Sequence, residues 1–294
     1  MAGGHLSYRK RVGGSVNTPP DTLRDVTVIV LAGGRATRLA ALRSPLPKAM
    51  LPIGGQPYIG YLAAHYLRCG VASVRVAAGH MGEAIAEYFR GEPWLGSGVV
   101  VDISEPQGTG HDLVRAARAV RTDWVLLVMG DIVADFDPLA LVAAVKAQPA
   151  YCNLVVCDRS PQNEGALEVR ADGLLLSSAE GGPDAIGFPG IARTRKSSTG
   201  AALIDRTALT AMDLKPGASM EKDLFPPWIS AGRMRTFDIG DRFFWDFGTP
   251  ERYRFIAERP DTVLRLYGPA RPGTLVSVPD PLAASEGLAL KDDR

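Results

Sequence analysis

Cysteine is scarce in this chain: Cys69, Cys152 and Cys157 are the three among 294 residues. An odd number that small excludes a disulfide framework, and the spacing suits no zinc site. Cys152 and Cys157 fall on one expected strand, where successive side chains alternate faces, so they should point apart. Reduced core thiols in a cytoplasm are the expectation. An excess of one charge is missing too, since 33 Lys and Arg balance 32 Asp and Glu to a net +1. That balance leaves no electrostatic footprint for nucleic acid or an anionic membrane, so neither is expected as a partner. The longest apolar runs, such as Trp124 to Met129, are too short to cross a bilayer. The opening residues show no charged n-region leading into an apolar h-region, so no secretory signal is expected. Internal repeats are absent, hexapeptide periodicity included. No G-x-G-x-x-G follows the first strand, which disfavours a dinucleotide-dependent dehydrogenase.

What is present is an apolar fraction of 46% in a length that can bury a full core. Residues 1–24 mix Gly, Ser, Pro and charge without periodicity and are expected as a flexible leader. From Val26 strand-like and helix-like patterns alternate. Strands are expected at Val26–Leu31, Ser73–Ala78, Val99–Ile103, Trp124–Met129 and Cys152–Cys157. Helices are expected at Tyr58–Cys69, Glu83–Arg90, His111–Val120 and Pro138–Ala147. Such alternation argues for an α/β fold with a mixed, mostly parallel sheet covered by helices on both faces. A hairpin signal then joins Ala166–Arg170 to Leu174–Ser178. A polar stretch from Gly181 to Ser198 precedes a strand at Ala201–Ile204 and another around Arg235–Ile239, and Thr249-Pro250 fits the start of a closing helix. The expected domain runs over 25–260, with a nucleotide-binding half to about 150, an acceptor-binding half from 151, and a tail over 261–294.

Leu31-Ala-Gly-Gly-Arg-Ala-Thr-Arg-Leu39 carries the first chemistry. Gly33 and Gly34 let main-chain amides approach a polyphosphate closely. Arg38 offers a planar fork of donors, and Lys48, in Pro47-Lys-Ala-Met-Leu-Pro52, a compact point charge. Asp131, after the strand Trp124–Met129, stands where open parallel sheets bind ligands and is either a Mg²⁺ ligand or a cap. Asp246, among aromatics, is the second candidate carboxylate. Glu105-Pro-Gln-Gly-Thr-Gly110 forms a second glycine-bearing loop, open to two readings: a nucleoside contact or a tight strand-to-helix connection. Glu221-Lys222-Asp223 is either solvated charge or a receiver of sugar hydroxyls. No Ser/His/Asp or Cys/His arrangement stands out. None is needed if the acceptor is a phosphate monoester, because near neutral pH such a group is mostly a dianion and itself a nucleophile.

In this order the segments resemble the sugar-1-phosphate nucleotidylyltransferases over residues 26–258. The resemblance rests on Leu31–Leu39, Pro47–Pro52 with Gly55-Gln-Pro57, Gly108-Thr-Gly110, Gly130-Asp131, Ser219-Met-Glu-Lys-Asp223 and Asp246-Phe-Gly-Thr-Pro250. It implies a Rossmann-like, GT-A-like nucleotidyltransferase fold that joins a nucleoside triphosphate to a sugar-like 1-phosphate and releases pyrophosphate. It implies Mg²⁺ on Asp131 and Asp246, and catalysis by Arg38, Lys48 and Asp131. Leu31, Ala32, Gly33, Gly34, Arg35, Thr37, Gln107, Gly108 and Thr109 would hold the nucleotide; Glu180, Gly200, Glu221 and Lys222 would hold the acceptor. Ser-Met-Glu-Lys-Asp before Phe-Pro is similar to the mannose- and heptose-1-phosphate branch, often guanine-specific; relatives activate cyclitol phosphates in natural-product pathways. A cytoplasmic homodimer is the assembly to expect from the family.

Two departures stand out. The family usually has Gly at Ala36. It also commonly has Glu-Lys-Pro after the hairpin, whose Lys grips the sugar phosphate, whereas Ser178-Ala-Glu-Gly-Gly-Pro183 has none. Arg193, Arg195 and Lys196 are the candidates to replace it. The competing readings are a catalytically weak regulatory homologue and a glycosyltransferase using a finished nucleotide sugar. Arg38 and Lys48 speak against the latter, because a diphosphate donor needs no triphosphate loop.

Overall fold

The computed structural model describes residues 17–18, 20–42, 44–158, 166–178 and 193–270. Its strands, in chain order, are β1 (Val26–Ala32), β2 (Pro52–Ile53), β3 (Gln56–Pro57), β4 (Ser73–Ala78), β5 (Val99–Ile103), β6 (Trp124–Met129), β7 (Ile132–Ala134), β8 (Cys152–Cys157), β9 (Ala166–Arg170), β10 (Leu175–Ser178), β11 (Arg193–Asp205), β12 (Met234–Asp238) and β13 (Phe244–Asp246). Nine of them form one sheet. At its centre β1, rich in Val and Ile and buried through Leu31, pairs in parallel with β4 and β6. Burial on both faces is what a central parallel strand requires. β5 extends the sheet in parallel beyond β4, while β11 runs antiparallel to β6, β8 and β9. β12 is parallel to β8. The carboxyl ends of β1, β4, β5, β6, β8 and β12 therefore share one edge.

Helices α1 (Tyr58–Cys69), α2 (Gly82–Arg90), α3 (Thr109–Arg118), α4 (Pro138–Ala147), α5 (Arg206–Thr210), α6 (Phe225–Ser230), α7 (Pro250–Ala257) and α8 (Pro260–Tyr267) cover both faces. Val28, Val30, Leu126 and Val128 face Leu62, Val142, Tyr253 and Val263 on one side. Ile29, Leu31, Val125 and Leu127 face Leu113, Leu209 and Trp228 on the other. Cys157 lies in the first layer and Cys152 in the second, so the strand does turn its two thiols apart. Cys69, Cys152 and Cys157 form no disulfide with one another. No helix among the described residues is long and apolar enough to cross a membrane.

The structure redraws three expected boundaries. Within the expected leader, Leu23 is buried, Asn17 Nδ2 donates to Asp205 at 3.0 Å, and Trp124 Nε1 donates to the Thr18 carbonyl at 2.8 Å. Residues 17–18 and 20–24 thus lie against the domain. At the other end α8 opens the expected tail but is docked: Val263 and Tyr267 are buried, and the Ala134 amide donates to Tyr267 OH at 2.9 Å. Finally, β11 begins well before Ala201. Arg193–Ser197 pairs with β9, and an irregularity between Ser198 and Ala202, with Gly200 at φ 70°, breaks the period-two pattern. That break hid the strand. Glu180, Gly181–Gly190 and the tail after 270 lie outside the described residues.

Candidate active site

Parallel pairing sets Leu31 beside both Ala77 and Met129, so the segments after β1, β4 and β6 leave from one rim. In open α/β sheets that rim is where ligands bind. Three loops meet there. A Cβ on Gly79 would stand 2.6 Å from both the Gly33 carbonyl oxygen and Pro106 Cγ, so only glycine lets the loops after β1, β4 and β5 converge. Gly34 has open space around it, and Arg35 and Thr37 are exposed. Ala36 takes φ 51°, a left-handed conformation that favours glycine, and its carbonyl accepts from Leu39 to start the turn Thr37–Leu42 that carries Arg38.

Asp131 is aimed by a tight tie, in which the Gly130 amide donates to the Leu31 carbonyl at 2.9 Å. Lys48 opens a short turn whose next two residues, Ala49 and Met50, are buried. Its ammonium donates to Asp131 Oδ2. Asp246 arrives from 115 positions downstream in sequence through the ribbon β7–β13, in which it pairs with Ile132. The Phe247 amide then donates to the Asp131 carbonyl at 3.1 Å, and the Phe247 ring packs edge-on against Tyr58 at 5.0 Å. Those bonds hold the two acids side by side.

Gly248 marks the point of convergence. A Cβ there would lie 2.7 Å from Asp246 Oδ1, 3.1 Å from Lys48 Nζ and 3.4 Å from Arg38 Nη2. Arg38, Lys48, Asp131 and Asp246 are therefore brought together as their motifs suggested. Gly200 adjoins the same corner, because a Cβ on it would press on Ile132 Cδ1 at 2.6 Å and Met129 Cγ at 2.7 Å.

The second glycine loop makes a different contact. A Cβ on Gly108 (φ 94°) would sit 2.3 Å from the Ala218 carbonyl oxygen, and the Gly110 amide donates to that oxygen at 3.0 Å. Thr109 Oγ1 accepts from Met220 N at 3.1 Å, and the Asp112 carboxylate accepts from Gln107 N at 3.2 Å. The glycines thus admit the backbone of the Ser219 segment, a contact that neither reading of this loop named. In that segment Ser219 Oγ accepts from Lys222 N and the Asp223 carboxylate accepts from Ser219 N, a reciprocal cap. Lys222 is exposed, and the preceding Gly217–Ala218 backbone stands against the Gly108 loop, the Gly217 amide donating to the Gln107 carbonyl at 2.7 Å.

Of the cations offered in place of the absent hairpin lysine, Lys196 is already engaged. Its ammonium meets both Asp158 and Asp238. Burial opposes its charge, but the bonds to the two carboxylates prevail and hold its pKa above the ordinary value. Arg195 is exposed, and the Arg193 side chain lies outside the described residues.

One cation escaped the motif reading. Arg252 sits at the third position after the capping residue Thr249, and side chains there lean back toward the helix start. Its Nη1 comes within 3.4 Å of Asp246 Oδ2. The cap signal placed α7, but nothing local told that its arginine faces an aspartate from the preceding ribbon.

A divalent cation fits this donor set. Mg²⁺ takes one or two carboxylates and completes its shell with phosphate oxygens and water, and Asp131 and Asp246 supply that pair. Among the described residues no group of three or more His, Cys, Asp or Glu could hold a metal by itself. The site suits an ion shared with a phosphate ligand rather than a protein-only cage.

Comparison with known proteins agrees with this architecture. A mannose-1-phosphate guanylyltransferase from Mycobacterium tuberculosis is 24% identical over 231 residues, 78% of this chain; the match covers 62% of that protein. A D-glycero-alpha-D-manno-heptose 1-phosphate guanylyltransferase from Aneurinibacillus thermoaerophilus is 25% identical over 77% of this chain and 94% of its own length. HddC from Yersinia pseudotuberculosis, solved in complex with GMP-PN, shares the fold with a TM-score of 0.64 at 22% identity, over 79% of this chain and 98% of that one. Residues 28–183, more than half of the chain, match the MobA-like NTP transferase domain model. With that match, this sheet and this rim, the chain belongs to the MobA-like NTP transferase family of nucleotidyltransferases.

Proposed function

We propose that the protein transfers a nucleotidyl group from a nucleoside triphosphate, GTP foremost, to a sugar-like 1-phosphate of the mannose, heptose or cyclitol type, releasing pyrophosphate. The observation that carries this reading is the convergence of Arg38, Lys48 and Asp246 on Gly248, with Asp131 bonded to Lys48. Preference for guanine rests on the two guanylyltransferases named among its relatives. Three cysteines with no disulfide among them are consistent with a cytoplasmic setting.

In this reading the acceptor phosphate oxygen attacks the α-phosphorus and the bond to the pyrophosphate oxygen breaks, the electron pair leaving with pyrophosphate. The nucleophile is already anionic, so no side chain need remove a proton. Asp131 and Asp246 would hold Mg²⁺, which when bound supplies Lewis-acid stabilisation of the phosphoryl oxygens. Lys48 and Arg38 neutralise charge on the polyphosphate, and the Gly33–Gly34 backbone lets it approach the rim. Gly200 lets β11 pack closely on Ile132 and Met129, the residues flanking Gly130-Asp131, and so places the acceptor half beside that acid. Catalysis is then positioning and charge compensation.

The test is pyrophosphate release with Mg²⁺ and GTP, ATP, CTP, UTP or dTTP against a panel of sugar and cyclitol phosphates. GTP with a mannose- or heptose-type 1-phosphate should give the largest signal, and Asp131→Asn and Asp246→Asn should be silent while folded. Silence of the wild-type protein with every pair would refute the reading.

A further inference from the structure

Arg252 is a cation at the rim that the reaction as described leaves without a task. Its side chain is 20% exposed, and Nη1 is buried and makes no hydrogen bond among the described residues, although Asp246 Oδ2 is 3.4 Å away. A guanidinium nitrogen removed from water and left without an acceptor is costly, and such groups usually await one. Its carrier α7 is anchored from both sides. Tyr253 OH donates to the Pro52 carbonyl at 2.7 Å, and α7 packs on the Thr37–Leu42 turn that carries Arg38. Gly248 stands beside Arg38, Lys48 and the Asp246 that Arg252 approaches, and it has no side chain to fill the space. Three cations there face two carboxylates, a net positive corner suited to an anion of several charges.

We infer that Arg252 is a third phosphate-binding cation, which takes the pyrophosphate end of the triphosphate together with Arg38 and Lys48. The inference rests on the nucleotidyl-transfer reading and deepens it. The side matters: Arg252 approaches from α7, which packs on the Arg38 turn and follows the strand that presents Asp246. As the bond to the α-phosphorus breaks, charge gathers on the leaving pyrophosphate, and a planar fork of donors meets paired phosphate oxygens better than a point charge does. The competing role is purely structural, with Arg252 merely orienting Asp246.

The two roles part when no metal is present. Inorganic pyrophosphate titrated calorimetrically in EDTA should bind the wild-type protein, bind Arg252→Gln about tenfold more weakly, and bind Arg252→Lys in between. GMP, or the monophosphate of whichever base the panel selects, should bind all three within about twofold, because it lacks the phosphates concerned. Unchanged pyrophosphate affinity in Arg252→Gln, with wild-type binding intact, overturns the assignment and leaves the transfer reading standing. An equal loss in the Gln and Lys variants with a lowered melting temperature points to a packing role and also overturns it. A wild-type protein that binds neither pyrophosphate nor any triphosphate sinks the transfer reading itself, and Arg252 with it.

Discussion

Two lysines of this protein have similar surroundings by burial and opposite surroundings by charge. Lys48 and Lys196 have side chains 16% and 13% exposed, and each donates to aspartate. Lys48 meets Asp131 in a corner that also holds Arg38, Asp246 and Arg252, so cations outnumber acids. Lys196 is clasped between Asp158 and Asp238, so acids outnumber the cation. Swapping one carboxylate partner for a phosphate would suit the first site and would leave unpaired acid at the second. Proximity to a ligand edge therefore does not make a lysine a phosphate ligand; the local charge sum does.

The contrast is broken most directly by paired substitutions. Lys48→Ala should lower kcat/KM by about a hundredfold, the scale of losing a preorganised charge at a transferring phosphoryl group. Lys196→Ala should stay within about threefold, as expected of a cation already paired with two carboxylates. Pyrophosphate release at saturating and limiting substrate measures both, and equal losses would erase the distinction drawn here. Next in size, Gly248→Ala inserts a methyl 2.7 Å from Asp246 Oδ1 and 3.1 Å from Lys48 Nζ. A loss of about tenfold in kcat with a near-normal fold is the expected result, from displaced charges rather than lost ones.

Lys196 also predicts a pH effect with a definite sign. Its folded pKa is raised, so its contribution to stability is whole below the ordinary lysine value of about 10.4 and fades as pH climbs through the raised folded value. Urea titrations across the alkaline range should show that decline in the wild-type protein and a flatter profile in Lys196→Met. The smallest effect belongs to Ala36, held at φ 51°. Ala36→Gly relieves a left-handed alanine and should gain up to about 1 kcal/mol, a rise of roughly 2–4 °C in Tm. No gain, or a loss, would mean that the turn before Arg38 is not strained by its side chain.

Much of the frame was legible from pattern. β4, β5, β6, β8, α1 and α4 begin and end where the alternation of patterns placed them; Gly70 closes α1, and Asp137 Oδ1 accepts from Leu139 N at 2.8 Å at the start of α4. β11 was read short because its first half lies at a pairing whose residues are mostly polar, and a glycine interrupts it. The docked segments at 17–18, 20–24 and 261–267 were missed for a related reason. Their anchors, Asp205, Trp124 and Ala134, are remote in sequence, and a few side chains can tether a stretch that has no periodicity of its own.

By itself the sequence determined which residues could do phosphate chemistry, since glycine loops, a basic turn and an acid after a buried strand follow from local preferences and simple charge. Tertiary structure alone decided which of those charges meet. Asp246 reaches Asp131 only through the pairing of β7 with β13, Lys196 is drawn between two acids, and Arg252 is turned toward the corner by a helix that packs on the Arg38 turn. The reason is range. Strand and helix preferences act over a few residues, whereas an ion's role is set by every charge within several ångströms, whatever its distance along the chain.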